Sequence, residues 1–315
     1  MYTVSEEMGL DFNDLQRDFK GLLEATANLL ERKWPPKYQD IDCGNVVFYT
    51  RMRLVINTYA SIMWLTADIP HDPRRKPLVL SASPLVRVLF EELVTLIFFF
   101  DDLPARLPWY VETGYSETAR ELEHAKKHHG DDDGWTDYIT DLKVSLTNLE
   151  KKLNLRGSEK EGPIRKIDRW PSVGDMIKIV KKRSPDSPTV EFMSYIESWL
   201  YRTLSNDAHL SFTGLVRLGT FYAEKEIEAE LGKDEAQKQL KKRFEAYRME
   251  ILWTTFTLLL SIVSEIELHF NFKLSDRIQR FWEIFAITSD LSKQFYERRY
   301  KSLLAELADA TKSQP

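Results

Sequence analysis

A single cysteine, Cys43, stands in 315 residues. It excludes an intramolecular disulfide framework and any zinc site built on several cysteines, and it fits a reducing, cytoplasmic compartment. Glycine and proline are sparse, at 12 and 13 residues. With so few punctuating positions, the elements between them are expected to be long. No stretch alternates strictly between apolar and polar residues, and no Asn-Gly or Asp-Gly turn joins two β-like runs, so a sheet-based fold is not expected. The Gly-x(4)-Gly-Lys-Ser/Thr, Gly-x-Gly-x-x-Gly, His-Glu-x-x-His and Gly-x-Ser-x-Gly patterns are all missing, and Cys43 has no histidine near it in sequence. These absences remove the common nucleotide-loop, zinc-protease and serine-hydrolase readings. The N-terminal MYTVSEEMGLDF has neither a basic n-region nor an apolar h-region, so no signal peptide is expected. The longest uncharged runs, Leu54 to Ala67 and Ile251 to Ser264, are 14 residues each. Both are too short to span a bilayer and read as buried helices.

What is present is helical. The chain is 43% apolar and 12% aromatic with a formal charge of -5, the composition of a folded globule. Leu15, Phe19, Leu22, Leu23, Leu29 and Leu30 recur at helical spacing over Asp11 to Lys33, and Trp34-Pro35-Pro36 stops that helix. A second helix is expected from Gly44 to about Asp68. The third, LVRVLFEELVTLIFFF, is apolar nearly all round, as a central helix is, with Ser83-Pro84 read as its cap. Ser187-Pro188 reads the same way ahead of a helix whose apolar stripe is Phe192, Met193, Ile196, Trp199, Leu200 and Leu204, with Asn206-Asp207 a candidate break. A long helix from Asp234 to Phe270 and a last one from Asp276 to Leu307 complete an all-α bundle of about eight to ten helices. The expected organisation is an N-terminal helical extension (1–40), a core helical domain (41–222) and a C-terminal helical pair (223–315).

Three groups of residues carry candidate chemistry. Within the third helix, Arg87 and Glu91 are four apart and are expected to be largely buried, Glu91 pairing with Arg87 or Arg202. Such a pair fixes helix register or lines a pocket. Between Lys151 and Arg183, eleven Lys/Arg face four Asp/Glu, a basic island in an acidic chain. It is either a solvated face or the footprint of a phosphate-bearing partner such as RNA. Arg202, Ser205, Asn206 and His209 fall within an arc of about 100° on one helix face. A guanidinium and an imidazole so placed can grip and cleave a phosphodiester. Equally, His209 can donate to a backbone carbonyl while Arg202 pairs with Glu197 or Glu91 in a core network. The run His128-His129-Gly130-Asp131-Asp132-Asp133 reads as a solvated loop. Glu121/His124 and Glu265/His269 do not make a di-iron set, which needs two Glu-x-x-His motifs and two further glutamates. No metal or cofactor is expected.

Two resemblances rest on these residues. PLVRVLFEELVTLIFF followed by WLYRTLSNDAHLS resembles a bacterial all-helical family of uncharacterised function, Arg87 and Glu91 matching its first motif and Tyr201, Ser205 and His209 its second. The resemblance covers about Tyr49 to Leu218. Arg202 to His209 is also similar to the Arg-x(4–6)-His motif of the HEPN superfamily, though Thr203 stands where that family often has a polar Asn, Asp or His. That resemblance implies a helical, often dimeric RNA-binding protein or metal-independent endoribonuclease of the kind found in toxin and phage-defence systems. His209 would then be the acid or base, Arg202 the phosphate-charge stabiliser, and Ser205 or Asn206 the orienting group. A homodimer would supply a second histidine. The other reading is a non-enzymatic helical scaffold or small-ligand-binding protein.

Overall fold

In the computed structural model the described residues are 12–38, 44–67, 73–152, 169–209 and 211–312. They form an all-α bundle of twelve helices, with no strand among them. In chain order these are α1 (Phe12–Arg32), α2 (Gly44–Thr66), α3 (Ser83–Asp101), α4 (Leu103–His129), α5 (Thr136–Lys152) and α6 (Val173–Arg183). Then come α7 (188–208), α8 (Phe212–Gly219), α9 (Glu224–Leu231), α10 (Lys233–Phe270), α11 (Ser275–Thr288) and α12 (290–312). The count exceeds the sequence expectation for local reasons. Two short helices, α8 and α9, fill the stretch before α10, and the expected last helix is two. Ser289 adopts an extended backbone between α11 and α12, where its side chain accepts from Ser292 N as a cap.

Two central helices, α3 and α10, pack against each other. Helix α3 is buried nearly all round from Leu93 to Phe100, as its composition required. The second half of α10 is buried just as completely, although it contains five hydroxyl residues. Thr254, Thr255, Thr257, Ser261 and Ser264 each donate to the carbonyl four residues earlier, at 2.7–2.8 Å, so their hydroxyls are satisfied within the helix. Ser264 Oγ also accepts from Trp282 Nε1 at 2.9 Å, which ties α11 to α10. Helix α10 is the one helix among the described residues long and apolar enough to cross a membrane. Its apolar window is 89% buried inside the bundle.

The core is shared by all three segments expected from the sequence. Phe19 of α1 meets Phe256, Phe281 and Phe285, ring centroids 5.2–5.5 Å apart. A polar network sits inside this core. Glu265 of α10 is fully buried, and its oxygens accept from Arg299 Nε and Nη2 and from Tyr300 Oη. Arg299 also donates to Thr189 Oγ1 at 3.1 Å. Burial opposes the charge on Glu265, yet Arg299 and Tyr300 hold the carboxyl below its ordinary range. Arg299 and Tyr300 are presented by a π-turn, Tyr296–Tyr300, inside α12.

One turn on, His269 stacks on Phe100, ring centroids 4.1 Å apart. Burial drives its imidazole down to about 4, against the attraction of Glu265. In the unfolded chain that group takes its proton near pH 6.5, so between about 6.5 and 4 the unfolded state holds the extra proton. Stability therefore falls as pH falls through this window. Wild type is expected to lose about 2 kcal/mol more than His269→Phe between about pH 7 and pH 4.5 in urea melts. Equal losses in the two proteins would contradict the assignment.

Candidate functional site

The site forms where α3 crosses the end of α7. Helix α7 is not uniform: Pro188–Ile196 is α-helical, Glu197–Tyr201 is a π-turn, and Arg202–Ala208 returns to α. Ser187 caps its start, accepting from Val190 N at 3.3 Å, as the sequence reading expects. The π-turn widens one turn by a residue, which turns Trp199 out of the apolar stripe to 38% exposure while Ile196, Leu200 and Leu204 stay buried. Asn206 and Asp207 do not break the helix. The break comes at His209, whose backbone (φ -94°, ψ 6°) ends α7, its N–H donating to Ser205 O at 3.0 Å.

Ser83 does not act as a cap. The 3-10 turn Pro73–Ala82 runs straight into α3, and Ala82 is already helical, so the first N–H groups of α3 need no side-chain acceptor. Ser83 Oγ instead donates to Asp207 Oδ2 at 3.2 Å, a buried tie between α3 and α7. One turn along α3, Arg87 makes the second tie. Its Nε donates to Glu91 Oε1 at 2.8 Å, and its Nη1 donates to His209 Nε2. The guanidinium lies 5.6 Å from the centre of the Tyr201 ring, which is itself stacked on Phe90 at 5.5 Å. Glu91, Tyr201 and His209 thus converge on the Arg87 guanidinium.

Arginine has no acceptor, so in the Arg87–His209 contact Nε2 must be the unprotonated nitrogen, with the ring proton on Nδ1. The imidazole itself is exposed to solvent. The Arg87–Glu91 pair is shallower than the sequence suggested: its side chains are 16% and 39% exposed. Leu89 and Phe90 take the inward face of α3, which leaves this pair at the edge of the core. Removing Glu91 should therefore cost on the order of 1 kcal/mol rather than the loss expected of a buried charge.

Arg202 is exposed and has no ion-pair partner among the described residues. It pairs with neither Glu197 nor Glu91, so the structure joins His209 to Arg87, not to Arg202. Ser205 and Asn206 are half-buried and contribute backbone carbonyls, to His209 N and to Ser211 N, each at 3.0 Å. The latter bond starts α8, whose first turn is capped by Ser211 Oγ accepting from Gly214 N. Gly214 is required there. A Cβ at that position would lie 2.3 Å from Asn206 O, so any larger residue would push α8 off the end of α7.

Sequence spacing missed the Arg87–His209 contact, since the two residues are 122 apart and meet only through helix crossing. The one available signal was that both belong to the same pair of motifs. It also missed Arg51, whose Nε and Nη2 grip Glu92 at 2.8 and 2.6 Å beside Tyr110. Residues 153–168 of the basic island, with four of its eleven Lys/Arg, lie outside the described residues. Its described end, α6, directs Arg183 back to Asp101 and Asp102. Among the described residues no group of three or more His, Cys, Asp or Glu is placed to hold a metal. Comparison with protein-family models, curated proteins and solved structures finds no match.

Proposed function

We propose that the Arg87–Glu91–Tyr201–His209 cluster, with Arg202 beside it, is the phosphodiester site of an RNA-binding protein that cleaves its substrate without a metal. The observation that carries this reading is the bond between Arg87 and His209 Nε2, because it couples a phosphate-gripping cation to an imidazole nitrogen at an accessible surface. An incoming phosphate takes the Arg87 donors in a planar, bidentate manner and releases Nε2. The freed nitrogen accepts the ribose 2′-hydroxyl proton, and the 2′-oxygen attacks the adjacent phosphorus. The 5′-oxygen leaves with a proton from solvent, giving a 2′,3′-cyclic phosphate and a 5′-hydroxyl end. Arg87 and Arg202 stabilise the charge growing on the phosphate oxygens. Glu91 holds the Arg87 fork in place while the site is empty.

These groups need no metal to do this. Purified protein is expected to cut single-stranded RNA in EDTA, leaving cyclic-phosphate ends, and to bind it more weakly as salt rises. Folded protein that cuts no RNA at any salt concentration overturns the nuclease reading. Binding without cutting reduces it to RNA recognition.

A second reading, small-molecule binding, is favoured by a separate cleft of about 450 Å³ between α2, α4 and α5. Val46, Val47, Val111 and Leu149 line it, with Tyr110 and Trp170, and Glu117 is the only charged group among the described residues that line it. Its size suits a drug-sized ligand, and it lies apart from the His209 residues.

A further inference from the structure

We infer that Phe212 is a base-stacking residue and that the strand it receives is single-stranded RNA, an inference that rests on the phosphodiester reading of Arg87 and His209. Phe212 is 83% exposed, more than any other large apolar side chain among the described residues. It opens α8, and Leu215 and Val216, 51% and 55% exposed, continue its stripe at i+3 and i+4. Together the three make one exposed apolar stripe, and a contiguous stripe of this kind marks a surface that something covers.

Its position is fixed relative to the site. Only Leu210 and Ser211 separate it from His209, and Ser211 is bonded both back to Asn206 O and forward to Gly214 N. The close approach of Gly214 to Asn206 holds α8 against the end of α7. On the other flank, Trp199 is turned outward by the π-turn, three residues before Arg202. Read along the chain, an outward aromatic, an exposed arginine, an exposed histidine and an exposed aromatic follow one another between 199 and 212. Proteins that hold single strands combine such groups: cations track the phosphates while rings take the unpaired base faces. A duplex keeps those faces stacked and cannot use Phe212. Charge favours RNA over a second copy of the chain as the occupant. Arg202 lies in the same stretch of chain, exposed and with no carboxylate partner among the described residues, and so is left for a phosphate to pair.

The test uses the full chain and its Phe212→Ala and Phe212→Trp variants, with a labelled single-stranded RNA and its duplex. Affinities are read by fluorescence anisotropy and mass by sedimentation. Wild type should prefer the single strand. Phe212→Ala should weaken single-strand binding by roughly 5- to 150-fold, leave duplex binding and sedimentation unchanged, and be rescued by Phe212→Trp. Single-strand binding by Phe212→Ala equal to wild type overturns the inference. So does a wild-type dimer that the alanine variant converts to monomer, which assigns the stripe to a second copy. Wild type that binds no RNA overturns the phosphodiester reading itself, and the inference with it.

Discussion

Replacing Glu265 by alanine is expected to destabilise the protein by about 3–5 kcal/mol, enough to leave much of it unfolded at ordinary temperature. The carboxylate is fully buried and satisfies Arg299, itself 7% exposed, together with the Tyr300 hydroxyl. Alanine removes the charge that compensates Arg299 inside the core. The guanidinium cannot deprotonate to escape, so it stays buried and uncompensated or drags α12 open. Removing both partners at once tests the cause. Glu265→Leu with Arg299→Met should recover a large part of the loss, because no orphaned charge remains. Urea melts of the single and double variants measure both effects. A Glu265→Ala protein that melts with wild type would mean that the pair is not buried.

That network shows where sequence reading stops. Glu265 and His269 are visible as a pair four apart on one helix, and the obvious question about them is whether they bind metal. Their actual partners lie on α3 and α12, at Phe100 and Arg299. Spacing within a helix says nothing about which other helix will face it. The fold class, by contrast, is legible because apolar residues recur at helical spacing over long stretches that few glycines or prolines interrupt. The bounds of α1, α2 and α10 follow from those patterns and from their stop signals.

The misreadings have local causes. Trp199 fits an ideal 3.6-residue stripe, but the π-turn at Glu197–Tyr201 breaks that period. Ser83-Pro84 has the form of a cap, but a preceding 3-10 turn already fills the role. Ser289 ends one helix and caps the next with no glycine or proline to announce it. At the candidate site, the sequence motifs group Tyr201 and His209 with Arg87 and Glu91, and the structure brings Glu91, Tyr201 and His209 to the Arg87 guanidinium. Seven residues span two helical turns, so helical spacing alone sets Arg202 beside His209. The helix crossing gives that place to Arg87, and Arg202 remains in solvent.

On the proposed mechanism Arg87 poises His209 as the base, and the His209→Ala variant separates that role from a structural one. Loss of a general base lowers a rate by about 10²–10⁴-fold. The imidazole is exposed, and Arg87 keeps Glu91 when it is gone, so the fold loses little. Cleavage of single-stranded RNA in EDTA and the thermal melt are therefore measured on the same preparations of wild type and His209→Ala. The predicted result is an active wild type and a variant at least about 100-fold slower, with melting temperatures that coincide within a few degrees. A variant that unfolds early while wild type shows no cleavage to lose would contradict the claim and make the Arg87–His209 bond a purely structural tie between α3 and α7.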